Sequence, residues 1–373
     1  MPSATSERSS ARSGRPPRFP GVPRRDILAA ALIAASAALA RACAPGGFAG
    51  DRPRGEAAGA ADPGSSGSGG AESGGASGSS AAGEPVTVRI DAGATLRGQT
   101  GGRVLRRPRG ISLDHMQRVF VADTGNNRVV VLDANGSVES EFGRFGSGDG
   151  QFLSPTDVAA REGFFVYVVD AENERVQKFD RFRSFVEVVV ARGGIDGAFG
   201  VPQGIEIDDQ GRLYVTDVEQ DKVWVLDSFS GSLEMEIGGF GATESRFVDP
   251  TDVAIGPDRR ILVTDTGNGR VQVFDRLGSF LFSLDGSGPG ARPLRRPEGI
   301  AYDRRGLVYV SDPTQARVVI FDADGRPLAE IGAPALSAPS GLAFDGDSTL
   351  FVVDTAVDGI VSFVVHVDAA EGE

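Results

Sequence analysis

From residue 84 onward, apolar residues arrive in short runs broken by Gly, Asn, Asp, Ser and Pro. The runs are too short for helices and carry Val, Ile, Phe and Leu at strand-like spacing. The pattern repeats. A unit opens on Pro-x-Gly or Pro-x-Asp followed by Ile, Val or Leu, at Pro108, Pro155, Pro202, Pro250, Pro297 and Pro339. Each unit then carries an apolar run ending in Asp: Asp123, Asp170, Asp217, Asp265, Asp312 and Asp354. Both series are spaced 47, 47, 48, 47 and 42 residues apart.

One unit divides into four strands. In the first copy these are Gly110–Asp114, Val119–Asp123, Arg128–Asp133 and Ser137–Phe142, called a to d below, separated by turn residues such as Thr124-Gly125-Asn126-Asn127. Four short antiparallel strands per repeat of this length make a propeller blade, and six copies make a ring. The expected fold is therefore all-β: a six-bladed β-propeller of four-stranded antiparallel blades over residues 84–373. The sixth copy supplies strand a near Gly341–Asp345, b at Leu350–Asp354 and c at Ile360–Val367, and no strand d follows. An alternating segment, Val86–Ile90, precedes the first copy without a unit of its own. Used as the outer strand of blade six, it would close the ring and remove an exposed edge.

Val-Ala-Asp-Thr-Gly-Asn-Asn-Arg-Val (121–129) and Val-Thr-Asp-Thr-Gly-Asn-Gly-Arg-Val (263–271) resemble the core of the NHL repeat. The Pro-x-Gly-Ile starts agree with it. Units two, three and six depart, with Glu172-Asn173-Glu174, Glu219-Gln220-Asp221 and a final unit that has Gly359 in place of the basic residue. The resemblance implies a rigid disc that presents loops to partners. It also admits a propeller enzyme, such as a calcium-dependent lactonase or a lyase.

The recurring Asp and the basic residue five positions later (Arg128, Arg175, Lys222, Arg270, Arg317) flank a tight turn. They are expected to pair across the b–c hairpin as a blade-building device. Asp133, Asp180, Asp227, Asp275 and Asp322 close the c–d turns in the same way. Phe152, Phe199 and Phe247 are expected as wedges between blades. Trp224, Tyr167, Tyr214 and Tyr309 fall within strands and read as core.

Function should sit where copies differ. The d–a and b–c connections share one face, so the residue after each repeat Pro should ring the channel mouth: Arg109, Thr156, Gln203, Thr251, Glu298 and Ser340. At the next position Asp157 and Asp252 replace Gly. Their plain role is to bond loop amides; with Glu298 they are also the only carboxylates here that suggest a calcium site. No other cofactor is suggested. The loops entering blades one and five carry Arg103, Arg106, Arg107, Arg109 and Arg292, Arg295, Arg296, which predicts a basic sector at Arg106, Arg107, Arg295 and Arg296. Asp149, Asp157, Asp196, Glu244, Asp249 and Asp252 should lie opposite.

The chain has 52 Gly, one Cys and two His, so an internal disulfide and a Cys/His zinc site are excluded. Nine of the 38 basic and six of the 51 acidic residues lie in the first 83, leaving 29 against 45 and a net of −16 for the rest. Such a domain should repel nucleic acid and anionic lipid unless its basic residues cluster locally.

Residues 1–42 read as a signal peptide. Arg24-Arg25-Asp26-Ile27-Leu28 resembles a twin-arginine export signal, and the apolar run that follows to Ala40 has the length of a signal core. Ala40-x-Ala42 fits a cleavage site, and Cys43 stands where a bacterial lipoprotein carries its lipidated cysteine; the alternative is an incidental residue beside ordinary cleavage. Residues 43–83 are Gly, Ser and Ala rich and read as a disordered tether. The expected whole is a monomer exported to the cell envelope and anchored to the outer face of a bacterial membrane by an N-terminal lipid or by the signal. Its partner would be a protein, a peptide or an anionic envelope polymer.

Overall fold

The b and c strands are buried along most of their length, and five of them throughout, because each sheet packs a neighbour on both faces. Alternate residues of one strand therefore enter different cores. In blade one, Phe120 faces blade two, whereas Val119 and Val121 face blade six.

A computed structural model describes residues 86–99, 102–133, 135–160, 163–288, 291–346 and 348–369. Contacts divide the chain into Met1–Gly78 and Ser79–Glu373, and every described residue lies in the second unit. The signal sequence, Cys43 and the 43–83 tether lie outside the described residues.

Six four-stranded antiparallel sheets form the ring. Blade one comprises Ile111–Leu113, Val119–Asp123, Arg128–Leu132 and Val138–Phe142. Blades two to five follow the same order in sequence. Blade six joins Pro339–Phe344, Thr349–Asp354 and Gly359–Ala369 to Val86–Leu96 as its outer strand. The closing strand is longer than the 86–90 expected: pairing runs from Val86↔Ala369 to Leu96↔Ile360 with a bulge between Ala92 and Thr95. The Ser362 hydroxyl satisfies that bulge, accepting from Ala94 N–H at 2.9 Å and donating to Ala94 O at 3.2 Å.

Each of the six apolar cores lies between two successive blades, including one between blades six and one. Phe152, Phe199 and Phe247 are fully buried in three of them, as the wedge reading requires. Trp224, Tyr167, Tyr214 and Tyr309 are likewise buried.

The repeated Asp does more than hold its hairpin. In all six blades it accepts backbone N–H groups from the incoming d–a loop: Arg106, Leu153, Gly200, Val248, Arg295 and Ser337 donate to Asp123, Asp170, Asp217, Asp265, Asp312 and Asp354. Pairing with the basic residue is less general than the sequence suggested. It holds for Arg128, Arg175 and Arg270, whose Nε atoms lie 2.7–2.8 Å from Asp123, Asp170 and Asp265. In blade three Trp224 Nε1 donates to Asp217 instead, and Lys222 turns to Glu236. In blade five Gln315 and Thr314 occupy Asp312, and Arg317 pairs with Glu330. Other donors share the carboxylate where the cation stays: Asn126, Asn173 and Asn268 each reach it at 2.8 Å beside Arg128, Arg175 and Arg270. At the c–d turns, Asp133, Asp180, Asp275 and Asp322 each accept two turn amides.

Candidate functional site

Fixing each d–a loop to the buried Asp presents the residue after the repeat Pro at one end of the channel. Arg109, Thr156, Gln203, Thr251, Glu298 and Ser340 line a single cavity of about 290 Å³, together with Asp157, Asp252, Glu206, Asp249 and Arg296.

The six positions split into two alternating sets. In blades two, four and six a hydroxyl donates to the backbone carbonyl of the matching residue one blade on. Thr156 Oγ1 reaches Gln203 O at 2.8 Å, Thr251 Oγ1 reaches Glu298 O at 3.0 Å, and Ser340 Oγ reaches Arg109 O at 3.1 Å. Asp157 and Asp252 reinforce two of these junctions, accepting from Ile205 N–H at 2.8 Å and Ile300 N–H at 3.0 Å. At the third, Gly341 N–H donates to Arg109 O at 3.0 Å. Close approach explains the intervening glycines: a Cβ on Gly110 would lie 2.1 Å from Asp157 Oδ1, and one on Gly299 would lie 2.1 Å from Ser340 O. Five of the eight candidate binding residues, Thr156, Asp157, Thr251, Asp252 and Ser340, are thus inter-blade latches. The side chains of Arg109, Gln203 and Glu298, on blades one, three and five, have no hydrogen-bond or ion-pair partner among the described residues and are half-buried at the mouth.

Burial pushes the Asp252 carboxyl up from its ordinary 3.8 to about 7, and the Glu206 charge adds to the shift. Burial likewise holds Asp157 well above the usual carboxylate range, with the Asp252 charge as the next cause. Among the described residues, no three His, Cys, Asp or Glu side chains are placed to share a metal ion, so Asp157, Asp252 and Glu298 line one cavity without converging on one point.

Glu206 escaped the sequence reading. It borders this cavity and a second one of about 390 Å³ toward the opposite face, which His115 also lines. A signal existed: four residues after the repeat Pro the other blades carry Ser112, Ala159, Ala254, Ala301 and Ala343, and blade three alone carries a charge. His366 lies on the seam against Asp91, away from either cavity.

The basic loops divide. Arg103 and Arg292 are drawn to Glu141 and Glu330. Arg106, Arg107, Arg295 and Arg296 are exposed, and among the described residues none of them has an ion-pair partner. Arg109 and Arg296 line the mouth cavity together, on the two blades that flank blade six. The acidic loop residue Asp249 lines it from blade four.

Comparison with known proteins matches this architecture. An NHL repeat model fits residues 105–132 and 247–274. Those two stretches are NHL repeats. The chain is 30% identical over 131 residues to protein brain tumor of Drosophila melanogaster, a match that takes in 34% of this chain and 12% of that protein, so it spans only a small part of that relative's length. Its fold is shared with virginiamycin B lyase from Staphylococcus aureus (TM-score 0.52, 13% identity, covering 74% of this chain and 99% of that one). It is shared equally with a gluconolactonase from Xanthomonas campestris (TM-score 0.55, 17% identity, covering 74% and 99%). At these identities the likeness is one of fold.

Proposed function

We propose that this NHL propeller is a non-catalytic binding module, exported and held at the outer face of a membrane by its N-terminal segment, which recognises an acidic protein or peptide at its channel mouth. The observation that carries this is the division of labour at the mouth. Latches on even blades satisfy the backbone, which leaves Arg109, Gln203 and Glu298 free beside the unpaired Arg106, Arg107, Arg295 and Arg296. Exposed Phe145 and Phe240, on the loops entering blades two and four, add apolar anchors on the same face. An anionic envelope polymer would meet the same arginines but would not use the aromatic pair.

The test measures association with a poly-glutamate peptide across a salt series. Reversing Arg106, Arg107, Arg295 and Arg296 to Glu should slow association roughly tenfold at low salt and flatten the salt dependence. Unchanged rates would remove the mouth from consideration. Anchoring is tested separately: Cys43→Ser should move the protein from the membrane fraction to the soluble fraction. Retention would leave the apolar run ending at Ala40 as the anchor.

A second reading, a propeller enzyme, draws on one observation: Asp157 and Asp252 are buried acids lining one cavity, with burial raising both carboxyls above their ordinary value. Hydrolysis of gluconolactone that Asp252→Asn abolishes would favour it over the binding module.

A further inference from the structure

The face opposite the mouth carries the a–b and c–d turns. At one position in the c–d turn, two residues after its Asp, blades one and five carry Asn135 and Asp324. Blades two, three and four carry Phe182, Phe229 and Leu277 there, with 72%, 82% and 70% of their surface exposed. A monomer in water gains nothing from exposing three large apolar side chains at equivalent tips of three consecutive blades. Phe164, in the a–b turn of blade two, is exposed on the same face. Two tips follow a cation, Arg181 before Phe182 and Arg276 before Leu277, and neither has an ion-pair partner among the described residues. The Arg181 guanidinium lies over the Phe182 ring at 4.8 Å. Lys178 lies between Phe165 and Phe229, at 4.5 and 5.5 Å from the two rings.

The chain also enters the domain on this face. Val86 pairs with Ala369, at the end of the strand that starts at Gly359 beside the b–c turn. The 85 residues before Val86 therefore join the disc at the level of the c–d turns, and they include the apolar run that ends at Ala40.

We propose that this turn face of blades two to four rests on a lipid bilayer, with Phe182, Phe229 and Leu277 dipping into its interface and Arg181 and Arg276 meeting headgroup phosphates. Separate protrusions on neighbouring turns suit a soft surface better than a protein groove, which would need a continuous apolar floor. Apolar tips flanked by arginine match the layering of a bilayer interface, where rings seat below the phosphates. The arrangement turns the mouth away from the membrane, toward partners. The inference shares only the membrane with the tether reading, and its test separates the two.

The full chain is mixed with vesicles of phosphatidylcholine containing a minority of phosphatidylglycerol and sedimented. Replacing Phe182, Phe229 and Leu277 together with Ser should weaken partitioning by roughly tenfold or more without changing the melting temperature, since the tips pack against no core. A second measurement keeps the tether out of the readout. The chain has one tryptophan, Trp224, which is fully buried. In Phe229→Trp, vesicles should shift the added emission to the blue, and lipids brominated on the acyl chains should quench it. A tip tryptophan that stays solvent-like while the protein sediments would assign all binding to the N-terminal segment and overturn the proposal. So would a triple Ser variant that binds vesicles like the parent, including one that instead loses a co-purifying protein.

Discussion

Blades one to five are each built from one continuous stretch of chain; blade six is stitched from two stretches that lie far apart in sequence. The continuous blades rely on the buried Asp, which gathers the d–a loop, and in blades one, two and four also an Arg. Blade six keeps the Asp, on which Ser337, Ala338 and Ala356 N–H converge, and has Gly359 where the others carry a cation. It compensates with length. Its closing pair runs eleven residues on each side, against outer strands of five to seven residues elsewhere. Local hairpins need a local staple, whereas the seam gains its strength from an extended ladder.

Removing that ladder should have the largest effect. Deleting residues 84–96 strips Val88, Ile90 and Leu96 from the cores beside blade six and should cost about 5 kcal/mol. Urea denaturation of the monomeric fraction would show it, and a truncated chain as stable as the parent would mean that the seam carries no weight.

The next contrast sets the two kinds of staple against each other. Asp265→Ala removes the carboxylate that Arg270, Asn268, Gln272 and Val248 N–H share and should cost about 3 kcal/mol. Asp354→Ala strands only backbone amides and should cost about 1.5 kcal/mol. Equal losses would show that the cation adds nothing to the staple.

The smallest effect concerns pH. Blades two and four place Asp157 and Asp252 where blade six has Gly341. Because the folded pKa of Asp252 is raised to about 7 from 3.8, the fold binds a proton that the unfolded chain releases. The stability this contributes is full below about pH 4 and is lost as pH rises through about 7. Relative to the parent, Asp252→Asn should therefore be more stable at pH 8 than at pH 5, by about 1 kcal/mol. Gly341→Ala should change stability without altering its pH profile, because blade six brings no acid to the inner ring.

The repeat, the blade count and the seam were legible because each follows from period and alternation, which backbone geometry imposes on every copy alike. The partner of each staple was not. Arg317 turns to Glu330 while Thr314 and Gln315 donate to Asp312, and the pattern of apolar positions carries no trace of that choice. The mouth was half legible. Counting from the repeat Pro placed all six residues around one cavity, but it did not separate latches from free side chains. That separation depends on which blade's carbonyl each hydroxyl meets. Glu206 was overlooked because it sits inside a strand rather than in a loop.

The seam also sets a timetable. Val86–Leu96 leaves the ribosome first among the strands, and its partner Gly359–Ala369 leaves last. At about 5–20 residues per second the first strand waits tens of seconds for the last. Throughout that interval the ring is an open arc with two unpaired edges, and Val88, Ile90 and Leu96 have nothing to cover them. The arc cannot close early by local pairing, because every other outer strand already belongs to its own blade. A chain built this way stays vulnerable to aggregation and proteolysis until its final strand arrives, and then completes blade six and the core between blades six and one together.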